Sequence, residues 1–88
     1  MFKYNTNIIV NNVQGEIVLS RRNEKKPHII LLNSTGQWIV QNVIKYDSVE
    51  RLTEVLARET NVTPEIIIDD VKNFIDELIK HDIIIEEK

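Results

Sequence analysis

Two histidines, a pair of adjacent aspartates and a single tryptophan are the residues that could do chemistry in this chain of 88 residues. Their spacing decides what that chemistry can be. His28 and His81 lie far apart and belong to no H-x-x-x-H pair, so zinc-type ligation has no frame. His28 reads as a strand-end residue and His81 as a cation at the negative end of a helix. Asp69 and Asp70 are neighbours, and on a helix their side chains diverge by about 100°, so they do not share a proton. The chain has no cysteine, hence no thiol nucleophile, no disulfide and no thiolate zinc site. Two glycines and no G-x-x-x-x-G-K motif leave nothing to cradle a phosphate. Trp38 reads as core or core-edge rather than a stacking platform. The expected protein is therefore not an enzyme; it carries no metal and no cofactor, and it acts by binding.

Charge narrows what it binds. Residues 1–47 carry a net charge of +3 and residues 48–88 a net charge of −6. An acidic helical half repels phosphates and suits a neutral or basic partner. Hydrophobic residues make up 42% of the chain and charged residues 28%, as expected of one globular domain over 1–88. The opening residues lack the apolar stretch of a signal peptide, and no run of 18 apolar residues exists. The expected setting is the cytoplasm, away from membranes.

The element that must position any binding site is the stretch 64–81. Ile67, Val71, Phe74, Ile75 and Leu78 recur at the spacing of one helical face. Thr63 is a candidate cap, Pro64 fits the first helical position, and Lys80 and His81 suit the C-terminal end. Upstream, residues 1–7 read as a partly ordered lead-in. Strands are expected at 8–10, 16–20 and 28–32, the first two joined by a turn-rich N-N-V-Q-G. Residues 21–27 form a charged loop whose plainest reading is a solvated turn. The third strand, with Ile29, Ile30, Leu31 and Leu32 in a row, is too apolar for a strand with one wet face.

Asn33 or Ser34 then caps a first helix, with Gln37 reaching back in capping-box spacing. Ser48 starts a second helix, and Asn61 suits a left-handed C-terminal residue. Residues 83–85 are a short apolar strand. Leu32, Ile39, Val43, Leu52, Leu56, Val71, Phe74 and Leu78 are expected in one core. The order predicts an α+β fold: a three-stranded antiparallel sheet followed by three helices. That is a winged helix-turn-helix permuted so that its wing comes first.

Three motifs in this order carry a resemblance. Leu32-Asn33-Ser34-Thr35-Gly36 resembles the L-N-x-T-G opening of the first helix of the PqqD family, named for pyrroloquinoline quinone biosynthesis. Ser48-Val49-x-x-Leu52 is similar to its second-helix opening, and Asp70-Val71-x-x-Phe74-x-x-x-Leu78 to its third-helix signature. The resemblance spans roughly residues 8–85. Two departures are at turns: Lys45, Tyr46 and Asp47 stand where the family often has glycine, and so does Asp82.

The resemblance implies a RiPP recognition element. Such a module binds the leader segment of a ribosomally made precursor peptide and presents it to a modifying enzyme, commonly a radical SAM enzyme or a leader peptidase. In the family the leader adds as a strand to the third strand, in the cleft against the third helix. Carried over, the implied peptide-binding residues are His28, Ile29, Ile30, Leu31 and Leu32 on the strand, and Ile67, Asp70, Phe74, Glu77 and His81 on the helix. Phe74 is expected mainly in the core, with an edge on the cleft. Two other readings remain: a DNA-binding winged helix and a non-catalytic assembly adaptor. Pro64, Glu65, Asp69 and Asp70 at the start of the third helix disfavour nucleic acid, because a recognition helix there needs Arg, Lys, Asn or Gln. The chain is expected as a monomer or as a strand-exchanged dimer through the loop 21–27.

Overall fold

A computed structural model describes residues 2–22, 30–31 and 33–87. Among the described residues the strands are β1 (Phe2–Tyr4), β2 (Ile8–Val13), β3 (Glu16–Arg21), β4 (Ile30–Leu31) and β5 (Ile84–Glu86). The helices are α1 (Ser34–Asn42), α2 (Val49–Thr60) and α3 (Pro64–Lys80), with a 3-10 turn at Val43–Lys45 after α1. The fold is α+β, with small antiparallel sheets and three helices. The strands divide into two sheets, β2-β3-β4 and β1-β5.

β1 corrects the expectation of a loosely ordered lead-in. It pairs antiparallel with β5, Phe2 opposite Glu86 and Tyr4 opposite Ile84. Burial of Phe2 and Ile84 supplies the drive. The Tyr4 hydroxyl donates to the Val40 carbonyl at 2.7 Å, on the last turn of α1. That carbonyl is one of the group a helix end leaves without a partner of its own. Partial burial pushes the Tyr4 phenol above its usual value.

The β2–β3 hairpin is longer than the β-branched runs suggested. Pairing continues to Val13 and Glu16, and the turn is confined to Gln14 (φ 52°) and Gly15 (φ 85°). Two consecutive positive φ values are the mark of a type I′ turn, whose twist matches that of the strands.

Each helix boundary has a local cause. Asn33, not Ser34, caps α1, its Oδ1 accepting from the Gly36 N–H at 2.7 Å. The Gln37 side chain serves the sheet: its Oε1 accepts from the Ile17 N–H at 2.9 Å. Ser48 Oγ caps α2 through the Arg51 N–H at 3.1 Å. Thr63 stands at the N-cap of α3 without a side-chain cap bond, so that start rests on Pro64 at the first helical position.

Both α2 and α3 end in the same way. Asn61 (φ 57°) and Asp82 (φ 58°) are left-handed. The next N–H reaches back five residues: Val62 to Ala57 O at 3.0 Å, and Ile83 to Leu78 O at 2.9 Å. These are Schellman closures built without glycine. Asp82 holds there a conformation that glycine would take without strain.

Of the expected core, Ile39, Val43, Leu52, Leu56, Val71 and Leu78 are buried together with Ile8, Ile17, Leu19, Ile75 and Ile83. Phe74 is a partial correction, since it packs against this core while only partly buried. Leu32 lies outside the described residues.

Candidate functional site

The site is built where the start of α1, which follows β4 in the chain, meets α3 and the end of α2. β4 pairs with β3 on one side, Leu19 opposite Ile30 and Val18 opposite Leu31. Among the described residues, nothing pairs with its other edge.

The parity of that edge follows from the hairpin. A two-residue turn makes Val13 and Glu16 a hydrogen-bonded pair, and such pairs alternate along the strands. The Arg22 N–H donates to Asn7 O at 2.8 Å, the same phase at the far end of the hairpin. Ile17 is out of that phase, so its N–H points away from β2, where Gln37 receives it. Leu19 is two residues on and turns the same way, toward Ile30. Ile30 therefore spends its backbone groups on β3, while the N–H and C=O of Leu31 face the outer edge.

A pocket of about 390 Å³ begins at Asn33, two residues after β4. α1 and its cap contribute Asn33, Thr35, Gly36 and Ile39; the end of α2 contributes Leu56, Thr60 and Val62. Ile67, Asp70, Val71 and Phe74 of α3 complete it. Asn33 follows Leu31 by two residues, which puts the pocket at the end of β4.

The Phe74 ring sets the pocket's shape, and Gly36 makes room for it. A Cβ on Gly36 would lie 3.0 Å from Phe74 Cζ. Glycine in the first turn of a helix costs about 1 kcal/mol against alanine. Here it admits an aromatic edge against the α1 backbone. The residues of two motifs distant in sequence, Asn33, Thr35 and Gly36 on one side and Asp70, Val71 and Phe74 on the other, meet at one cavity.

Of the implied peptide-binding residues, the structure brings Ile67, Asp70 and Phe74 to this pocket. Glu77 and His81 lie further along α3, outside its lining. They pair with each other, His81 Nε2 standing 3.3 Å from Glu77 Oε2 with both side chains exposed. Arg21 Nη2 donates to the His81 carbonyl at 2.5 Å, which fastens β3 to the end of α3. Ile30 and Leu31 form β4; His28, Ile29 and Leu32 lie outside the described residues.

Sequence reasoning missed the α1 and α2 walls. The signal lies in the L-N-x-T-G motif, whose spacing marks a helix start and says nothing by itself of a pocket wall. Among the described residues, no group of His, Cys, Asp or Glu is arranged to hold a metal ion. No helix of the described residues is long and apolar enough to cross a membrane.

The profile of the family described as Coenzyme PQQ synthesis protein D (PqqD) matches residues 17–84. No match was found among curated proteins or among solved structures. With well over half of its length inside that match, the chain belongs to the PqqD family.

Proposed function

We propose that this protein is a non-catalytic peptide-binding domain. It takes an extended segment of a ribosomally made precursor peptide as an added strand on β4 and presents it to a modifying enzyme. The observation that carries the reading is the outward-facing backbone of Leu31, two residues before Asn33, which lines a largely apolar pocket walled by α3. An unpaired edge gives N–H and C=O groups to any sequence, and a neighbouring pocket makes the choice among side chains. Membership of the PqqD family supports a place in peptide-derived cofactor or natural-product biosynthesis. On this reading the permuted winged helix-turn-helix is a docking frame. The ligands are the leader peptide and a partner enzyme of the radical SAM or leader-peptidase kind, and the setting is the cytoplasm.

The test uses the two parities of β4. Random twelve-residue peptides are displayed and selected on the purified protein, and the enriched peptides are titrated by fluorescence anisotropy. Proline at Leu31 removes an outward donor and obstructs the added strand. Leu31→Pro is expected to keep its circular dichroism spectrum and lose binding by more than about tenfold, which is the cost of roughly one backbone hydrogen bond together with a steric clash. Ile30→Pro removes a donor to β3 and is expected chiefly to lower stability. Unchanged affinity in a folded Leu31→Pro protein rules out strand addition at this edge.

A further inference from the structure

Among the described residues, Asp70 is the only charged one lining the pocket. Its side chain is exposed, and it has no ion-pair partner among the described residues. The rest of the lining is apolar or uncharged, from Ile39, Leu56 and Val71 to Thr35 and Thr60. A lone carboxylate at the mouth of an apolar cavity accepts one kind of neighbour at low cost. An apolar group fills the cavity while a cation stays at the rim, where water still reaches it.

We infer that Asp70 selects the peptide ligand by charge, favouring a large apolar side chain in the pocket with a Lys or Arg two residues away from it. The spacing comes from the geometry of an added strand. Side chains at i and i+2 share a face, so the anchor and the cation both turn toward α3. The inference rests on the peptide-binding reading above. Charge complementarity names the occupant. Residues 48–88, which supply α2 and α3, carry a net charge of −6, and among the described residues the pocket lining offers no cation that an acidic ligand could meet. Like charges brought together there would be disfavoured, so an acidic residue at the same place in a competitor is rejected.

The experiment repeats the peptide selection on the full chain and on Asp70→Lys, which is expected to keep its circular dichroism spectrum because the residue is exposed. The parent is expected to enrich an aliphatic or aromatic residue with Lys or Arg two positions away, and Asp70→Lys to enrich Asp or Glu at that position. For one enriched peptide, Asp70→Asn is expected to weaken binding about two- to fivefold, as for a partly solvated ion pair. That difference should shrink in 0.5 M salt, where the screening length is only a few ångströms. Changing the peptide's cation to Glu is expected to weaken binding to the parent and restore it to Asp70→Lys. Enrichment of an apolar anchor with the same neighbours on both proteins overturns the role of Asp70 while leaving peptide binding intact. Enrichment of no sequence, or of peptides that bind the folded Leu31→Pro protein equally well, overturns the peptide-binding reading and the selectivity with it.

Discussion

In the second half of α3, Ile75 and Leu78 are buried in the core; on the flank that starts in the first half and runs from Ile67 to Phe74, these two residues stay partly open and line a pocket. The residue types and spacing barely change between them. What changes is the opposing wall. The second half ends at a Schellman closure that brings Ile83 back onto the helix, with Arg21 fastened to the same end. The flank from Ile67 to Phe74 faces the cap of α1 and the end of α2, where Asn33, Gly36 and Thr60 are too small or too polar to close the gap. One amphipathic helix can thus stabilise a fold at one end and keep an unfilled apolar surface at the other, provided that the side chains opposite are unequal in size.

The strongest test of that contrast is Leu78→Ala. Emptying a fully buried site is expected to cost about 2–5 kcal/mol in urea unfolding, much of the stability of a small domain. A cost below about 1 kcal/mol would show that the second half is no better packed than the first.

Phe74→Ala comes next. Because the ring is only partly buried and already borders a cavity, about 1.5–3 kcal/mol is expected instead of the ~3–5 of a full core phenylalanine. Peptide affinity should fall by more than the loss of folded protein explains. A stability loss at the full core value with unchanged affinity would place Phe74 in the core alone.

The smallest effect is expected at the C-terminal closure of α3. Asp82→Gly relieves a side chain held at φ 58° but frees the unfolded chain, for a net gain of about 0.5 kcal/mol in the same assay. Peptide affinity should be unchanged, since Asp82 lies outside the pocket. A loss of stability would mean that the Asp82 side chain supports the closure.

The helices could be read from the sequence because their causes are local. Ser48, Asn61 and Pro64 mark ends that any chain of this pattern would respect, and the α3 stripe located half of the pocket. The other half could not be read this way. Asn33 looks like a cap and Gly36 like a weak helix residue until Phe74 is seen against it, and that contact joins distant parts of the chain. β1 was hidden for a similar reason. Three residues are too few to show alternation, and the partner of Phe2 is at the other end of the sequence. The parity of β4 depends on which two residues of N-N-V-Q-G make the turn, and several in that run are able to. Once φ at Gln14 and Gly15 fixes the turn, every backbone group along the hairpin is assigned.

The β1–β5 pair has a practical use. Phe2 stands across from Glu86, so the polypeptide enters and leaves the fold at adjacent points. The domain can therefore be spliced into a surface loop of another protein with short connections at both junctions. It can also be circularly permuted, its ends joined and new ones cut at Gln14 and Gly15, where exposed turns tolerate such changes best. Because that cut lies in the hairpin turn, a permuted version would carry an attached enzyme from a different side of the same fold.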